Sequence, residues 1–369
     1  MNSNTRRPLK VIVSGGGTGG HIFPALSIAD ALKRANPDTE ILFVGAENRM
    51  EMEKVPAAGY PIVGLPVAGF DRKRLWRNFK VIAKLIKSMA KAKKVVKDFA
   101  PDVAVGVGGY ASGPVLKQAQ AAAIPTVLQE QNSYPGVTNK MLAPKAKAIC
   151  TAYPGMDRFF PAETIVLTGN PVRAALTAST LTREQACEAL GFDPAKPLLF
   201  VTGGSLGART INRSVEAALK MFAEKQIQVL WQTGKLYADE CAKAAESYPL
   251  VKAMPFIADM ATAYRAADLV VARAGAGTIS ELELLGKPAI LIPSPNVAED
   301  HQRKNAEALT SRGAAIMILD ADAPAELGEK VCALISNRDA LLALGAAAAS
   351  LAKENSAEKI VDVIYSVVL

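Results

Sequence analysis

The sequence predicts an α/β fold made of parallel sheets covered by helices, on three observations. Short runs rich in Val, Ile and Leu recur along the whole chain, longer helical patterns separate them, and a strand that ends in a glycine cluster occurs twice. Apolar runs without alternation belong to strands buried on both faces, the condition of a parallel sheet between helical layers. At 369 residues, half of them hydrophobic, the chain is long enough for two cores.

The elements follow in order. Residues 10–14 read as the first strand and 22–33 as the helix after it, and residues 41–44, 103–106 and 126–129 continue the sheet. Thr168-Gly-Asn-Pro-Val-Arg173 breaks both periodicities and marks a hinge. Beyond it, strands are predicted at 198–202, 228–232, 269–272 and 289–292. The expected division is a first domain of residues 1–170, to which a final helix over 350–369 returns, and a second of 171–349.

Composition narrows the class. The first apolar run is interrupted by Lys10 and leads into glycines, so it reads as a strand and not as a secretion signal. No apolar segment reaches bilayer length, so the chain is expected to be soluble or bound at a surface. Cys150, Cys187, Cys241 and Cys332 are widely spaced without a CxxC pair, which argues against a zinc ribbon or a disulfide framework and for a reducing compartment. The net charge of +8 is concentrated: residues 70–98 hold eleven Lys and Arg against two Asp.

Lys10-Val-Ile-Val-Ser-Gly-Gly-Gly-Thr-Gly-Gly20 has a counterpart in Leu198-Leu-Phe-Val-Thr-Gly-Gly-Ser-Leu-Gly-Ala208, each leading into a helix. One structural idea is used twice, as two Rossmann-like units. A glycine turn before a helix brings backbone close to a phosphate, and the helix N-terminus adds unpaired N–H groups and a positive dipole end. One such turn can also be a tight connection that binds nothing; two of them favour phosphate. Gly15, Gly17 and Gly20 satisfy GxGxxG, but the acidic residue that a dinucleotide ribose needs is missing where expected, Glu47 being late and in a loop. Neither turn ends in the GK[ST] of a nucleotide-hydrolysing P-loop.

A third cluster, Arg273-Ala-Gly-Ala-Gly-Thr-Ile-Ser-Glu281, repeats the strand, turn and helix start, and Glu281 either accepts hydrogen bonds from a ribose diol or serves the helix dipole. The only two histidines, His21 and His301, each open a helix after a loop of this kind.

Gly16-Gly-Thr-Gly-Gly-His-Ile-Phe-Pro-Ala25, Gly108-Gly-Tyr-Ala-Ser-Gly-Pro114, Glu130-Gln-Asn-Ser-Tyr-Pro-Gly-Val-Thr-Asn139, Gly169-Asn-Pro-Val-Arg173, Gly203-Gly-Ser-Leu-Gly-Ala208, Arg273-Ala-Gly-Ala-Gly-Thr278 and Asp300-His-Gln302 stand in this order. The set resembles the MurG family of bacterial N-acetylglucosaminyltransferases, over about residues 10–305. The resemblance implies two Rossmann-like domains facing across a cleft (the GT-B fold), UDP-N-acetylglucosamine as donor, lipid I as acceptor and lipid II as product. It assigns the donor to Thr18, Gly19, Gly20, Asn132, Arg173, Ser205, Ile257, Ala276, Gly277, Thr278, Ile279, Ser280, Glu281 and Gln302, with Ile257 at uracil and Glu281 at ribose. Gly17, Tyr110 and Asn139 fall to the acceptor. Gln129 departs from the pattern, standing where many relatives have His.

Turning an α-linked donor into a β-linked product requires one in-line displacement, hence a base for the hydroxyl proton and neutralisation of the departing diphosphate. Imidazole as a class titrates near neutrality, which makes His21 the first candidate base and Glu130 its rival. No cofactor or metal is expected, because helix N-termini and Ser205 serve the diphosphate and Asp320-Ala-Asp322 reads as a helix cap.

Residues 73–94 read as an amphipathic helix whose apolar stripe, with Leu75, Phe79, Ile82, Ile86 and Met89, is expected to pack on the sheet while an opposite stripe is basic. A solvated face or a nucleic-acid patch would share that charge, but aromatic residues are not interleaved and no reading motif is present. With a lipid-linked acceptor the basic stripe points to anionic headgroups, and Phe70, Leu75, Trp76, Arg77, Lys80 and Lys84 are the membrane candidates. The expected location is the cytoplasmic face of the inner membrane, as a peripheral protein, with other cell-wall synthesis and division proteins as candidate partners. Another membrane-surface glycolipid synthase, or a non-catalytic nucleotide-sugar-binding subunit, stays open.

Overall fold

The structure, a computed structural model, describes residues 6–17, 19–67, 78–204 and 206–368. It forms two compact units, Met1–Arg173 with Glu354–Leu369, and Ala174–Lys353. In the first, β1 (Lys10–Ser14), α1 (Gly19–Ala35), β2 (Glu40–Ala46), α2 (Glu51–Ala57), β3 (Ile62–Leu65), α3 (Asn78–Phe99), β4 (Val103–Gly106), α4 (Ser112–Ala121), β5 (Thr126–Glu130), α5 (Val137–Leu142), β6 (Ala148–Thr151) and β7 (Ile165–Leu167) follow one another. All seven strands are parallel, in the order β3-β2-β1-β4-β5-β6-β7.

The second unit holds α6 (Ala174–Ala178), α7 (Arg183–Ala189), β8 (Leu198–Thr202), α8 (Arg209–Glu224), β9 (Gln228–Gln232), α9 (Ala238–Ala245), β10 (Val251–Met254), α10 (Met260–Ala266), β11 (Leu269–Ala272), α11 (Ala276–Leu284), β12 (Ala289–Leu291), α12 (His301–Thr310), β13 (Ile316–Met317), α13 (Ala323–Ile335) and α14 (Arg338–Leu351). Its six parallel strands take the order β10-β9-β8-β11-β12-β13. Strand order therefore reverses beside β1 in one sheet and beside β8 in the other. Those reversals open a crevice at the carboxyl ends of the strands, where open α/β sheets hold their ligands.

Strand β1 is buried on both faces, so its side chains divide by parity. Val11 and Val13 pack with Ala25, Ile28 and Leu32 of α1, whereas Ile12 packs with Val115 and Leu116 of α4. The first of these layers is completed by α15 (Ser356–Ser366), which brings Ile360, Val361, Ile364 and Tyr365 onto β1 and α1. The Tyr365 hydroxyl donates to the Arg7 carbonyl at 3.0 Å, so even the polar tip of this aromatic side chain is satisfied.

Both sheets use one device at the opposite edge. Asp102, just ahead of β4, accepts the Lys10 N–H at 2.7 Å and donates its own N–H to the Lys10 carbonyl at 2.8 Å. Asp268, just ahead of β11, does the same with Leu198 at 2.7 and 2.9 Å, and also takes a two-pronged contact from Arg183, Nε at 2.7 Å and Nη2 at 2.6 Å. Each aspartate locks the strand pair at which the order reverses. The Arg183 fork adds the geometric specificity of parallel charged hydrogen bonds.

Helix α3 differs from the expected packing. Ser88, Ala92 and Val96 face the protein, while Ile86 is 65 % and Leu85 40 % exposed. Small residues on the inner side let α3 approach α4 more closely than a row of Ile and Met would, and Leu85 and Ile86 are left outside; the side chains of Phe79 and Ile82 lie outside the described residues. Lys84, Lys87, Lys91 and Lys94 are exposed on the same helix. Among the described residues no single helix is long and apolar enough to cross a membrane.

Two stability tests follow from this packing. Ile364→Ala, which empties a fully buried site on α15, should lower unfolding free energy in urea by about 2–5 kcal/mol, whereas Leu342→Ala, 61 % exposed, should change it by less than about 0.5 kcal/mol. In α11, burial pushes Glu283 up from 4.5 to about 7, with Lys353 and Arg312 pulling the other way. A carboxyl that holds its proton more tightly when folded favours the folded state fully below 4.5, and that advantage is lost as pH rises to about 7. Glu283→Gln should therefore gain stability over the parent across that window, reaching about 2 kcal/mol, and gain nothing further at higher pH.

Candidate active site

In the first unit the site begins where β1 ends. The chain turns through Gly15, Gly16 and Gly17, the last with φ +90°, and enters α1 at Gly19. Beneath the turn lies Glu51, fully buried at the start of α2. Both of its carboxyl oxygens are 3.1 Å from the Gly17 N, and Oε1 also accepts the Ala46 N–H at 2.9 Å. A Cβ on Gly16 would overlap Glu51 Oε1, which makes glycine compulsory there. On the other side of the same turn, His21 Nδ1 lies 3.1 Å from the Gly16 carbonyl oxygen. A carbonyl only accepts, so Nδ1 carries the proton and Nε2 carries the lone pair of the neutral ring.

The loop after β4 closes on this turn. Gly108 and Gly109 both have positive φ; a Cβ on Gly108 would come within 2.9 Å of His21 Cδ2, and one on Gly109 would overlap the Gly16 carbonyl. The Ser112 hydroxyl lies 2.8 Å from the carbonyls of Ser14 and Gly108, tying the two loops together. The Gly108-Gly109 pair thus makes room for the His21 ring, and Tyr110 beside it is 60 % exposed at the sheet edge.

Glu130 ends β5 inside a knot. Its carboxylate accepts the Asn132 N–H and Asn132 Nδ2 at 3.1 and 3.2 Å, the Gly136 N–H at 3.1 Å and Asn139 Nδ2 at 2.9 Å. Desolvation holds its carboxyl above the usual range, and the bonds from Asn132, Asn139 and Gly136 oppose that shift. Glu130 therefore shapes the 130–139 loop from within. Asn139 is equally buried and also donates to the Gln129 carbonyl at 3.2 Å. Gln129, the departure from the family pattern, donates to Asn170 Oδ1 at 2.9 Å in the interior. The Arg173 guanidinium lies 5.2 Å from the Phe23 ring centre.

In the second unit the turn after β8 runs through Gly203, Gly204 and Gly207. Gly207 and Gly234 are pressed backbone to backbone, each at φ +81°, so a Cβ on either would overlap the other loop. Gln232 joins three strand ends: its amide donates to Thr202 Oγ1 at 3.0 Å and its oxygen accepts the Ile257 N–H at 2.9 Å. At the third cluster, Gly275 stands before α11 in extended backbone, and the N–H groups of Ala276, Gly277 and Thr278 open the helix. Ile279 is buried and its N–H closes the first turn onto the Gly275 carbonyl at 3.0 Å. Glu281 accepts from the Tyr264 hydroxyl at 2.9 Å through Oε2, which aims its carboxylate. Gln302 accepts the Ser294 N–H at 2.8 Å through its oxygen.

The candidates therefore gather at the carboxyl ends of the two sheets. His21, Gly17, Gly19, Gly20, Tyr110, Glu130, Asn132 and Asn139 lie at the first, and Ile257, residues 276–281 and Gln302 at the second. Ser280 is half-buried in α11. Thr18, Ser205, Phe70, Leu75, Trp76 and Arg77 fall outside the described residues, as does the side chain of Lys80. Asp320 is engaged by Arg273 and accepts from Thr210 at 2.9 Å, while Asp322 sits at the start of α13 without a side-chain capping bond. Sequence reasoning missed Glu51 and Tyr264, whose roles come from partners distant along the chain.

Residues 11–151 match the model of the glycosyltransferase family 28 N-terminal domain, and residues 198–363 that of the family 28 C-terminal domain. A relative from Parabacteroides distasonis, named UDP-N-acetylglucosamine--N-acetylmuramyl-(pentapeptide) pyrophosphoryl-undecaprenol N-acetylglucosamine transferase, is 54 % identical over 367 residues, 98 % of this chain and 99 % of that protein. One of the same name from Porphyromonas gingivalis is 53 % identical over 370 residues, 100 % and 98 % of the two chains. The crystal structure of Acinetobacter baumannii MurG matches with a TM-score of 0.76 at 29 % identity, covering 97 % of this chain and 100 % of that one. The calicheamicin glycosyltransferase CalG4 shares the fold, with a TM-score of 0.70 at 16 % identity over 98 % of each chain. The two parallel sheets are those of a GT-B glycosyltransferase, and the chain belongs to the MurG family within glycosyltransferase family 28.

Proposed function

We propose that the chain is an inverting glycosyltransferase that moves N-acetylglucosamine from UDP-N-acetylglucosamine to the C4 hydroxyl of the muramoyl sugar of lipid I, giving lipid II. The observation that carries this reading is identity above one half, along nearly the whole chain, to proteins named for that transfer. The glycine turns beside both strand-order reversals support it, since ligands of open α/β sheets sit there.

On this reading the second unit takes the nucleotide sugar. The opening N–H groups of α11 and the turn after β8 receive the diphosphate, Glu281 the ribose hydroxyls, and the Gln302 amide NH2 a sugar hydroxyl. The Ile257 N–H already serves Gln232, so contact with uracil falls to the Ile257 carbonyl. The first unit takes the acceptor. In the displacement the C4 oxygen bonds to the anomeric carbon, the bond from that carbon to the diphosphate oxygen breaks, and UDP leaves with the electron pair. The hydroxyl proton goes to Nε2 of His21, because the Glu130 carboxylate is filled by donors of its own loop.

The exposed Leu85 and Ile86 among the lysines of α3 support peripheral attachment to an anionic, cytoplasmic membrane face. Each lysine near such a surface contributes about 1 kcal/mol.

Incubation with UDP-N-acetylglucosamine and a short-chain lipid I analogue should give the disaccharide lipid by mass, with EDTA present; UDP-sugar binding without transfer to any lipid acceptor would leave only a binding protein. His21→Ala should lower kcat by about 10²–10⁴-fold, whereas a rise confined to the acceptor KM would make His21 an orienting group. In flotation, vesicles containing phosphatidylglycerol should carry the protein and neutral vesicles should not, and a Lys84→Glu, Lys87→Glu double variant should float less. Binding indifferent to anionic lipid would remove the membrane reading.

A further inference from the structure

We propose that Glu51 sets the basicity and orientation of His21 through the single peptide group joining Gly16 to Gly17, so that carboxylate, peptide and imidazole form one hydrogen-bonded relay. This rests on the reading of His21 as the base. The Gly17 N–H that donates to Glu51 and the Gly16 carbonyl that accepts from His21 Nδ1 belong to the same peptide plane. The chain has no cis peptide among its described residues, so those two groups point in opposite directions, one to each partner. Glu51 meets only N–H donors here, which is the role of an ionised carboxylate. A carboxylate on the N–H side polarises the amide and strengthens acceptance at the carbonyl side, most of all when the imidazole is cationic. Serine hydrolases place an aspartate directly on Nδ1 of the catalytic histidine; here one peptide group stands between the carboxylate and the ring.

Four glycines make room for the arrangement. A Cβ on Gly16 would overlap the Glu51 carboxylate, one on Gly45 would come within 2.6 Å of Glu51 Cγ, one on Gly109 would overlap the Gly16 carbonyl and one on Gly108 would strike the His21 ring. The packing alone does not require the charge. Oε1 reaches both the Gly17 and the Ala46 N–H, so a glutamine oxygen in its place keeps those two contacts, while the glutamine NH2 replaces Oε2, which lies 3.1 Å from the Gly17 N. Other ionisable groups from neighbouring elements reach this edge of the sheet: Glu47 after β2, paired with Lys91, Tyr110 after β4, Glu130 at the end of β5, and Arg173 over Phe23. Glu51 is the one bonded to the peptide that His21 also uses. It is a positioning residue, since it acts through that peptide.

The test is ring-¹⁵N NMR titration of histidine-labelled protein, with His301→Ala assigning the two histidines. In Glu51→Gln the His21 midpoint should fall by about one pH unit, the proton preference for Nδ1 should weaken, and the acid limb of kcat/KM should move down by the same amount with donor KM unchanged. An unchanged His21 midpoint and tautomer in folded Glu51→Gln would overturn the relay, even if activity fell. Should that variant not fold, the Gly17 amide resonance of the wild-type protein decides: it should titrate with the His21 midpoint, and a flat Gly17 signal overturns the relay. Full activity in His21→Ala would remove the base reading alone, because the coupling between Glu51 and His21 is read without turnover.

Discussion

A carboxylate sealed beneath a glycine turn governs the first unit. Glu51 has no access to solvent and takes the Gly17 N–H with both oxygens, so the inner amide of the turn is spent on the protein's own charge. A buried charge is tolerated only when it is well hydrogen-bonded, and the donors that satisfy it hold β1, β2 and α2 in one geometry. Gly16, Gly45, Gly108 and Gly109 are constrained by that geometry, and so is the ring of His21. The turn is a support for the His21 imidazole, its inner amide being taken by Glu51.

The second unit solves a different problem with a similar chain path. Its turn after β8 is braced from below by backbone, Gly207 against Gly234, and by the neutral amide of Gln232. In α11 the opening N–H groups follow an extended glycine, with no acidic residue in the first turn. The positive ends of the peptide dipoles there face no acidic side chain of the helix's own first turn. On the proposed reading, the same α/β unit used twice gives the first edge the base and the second the diphosphate.

Much of this was legible in the sequence because periodicity and glycine placement are local. The apolar runs gave the strands, and the glycines after residues 14 and 202 marked the turns beside the strand-order reversals. What was not legible depends on contacts between distant segments. Glu51 looks like an ordinary acidic residue in the first turn of a short helix, and its burial follows only from Gly16 and Gly45 closing over it. The inward face of α3 was misjudged because hydrophobicity favoured Ile86, whereas close helix packing selected Ser88 and Ala92. Asp102 and Asp268 look like loop residues until pairing places each against the neighbouring strand. Gln129 stood out only as a departure from the family pattern, and its partner Asn170 lies 41 residues away.

The division of labour between the two turns is open to a direct measurement, a crystal structure of the protein with UDP-N-acetylglucosamine bound. The account predicts the diphosphate against the opening amides of α11 and the turn after β8, with the ribose hydroxyls on Glu281. A diphosphate seated on the turn above Glu51 would contradict it.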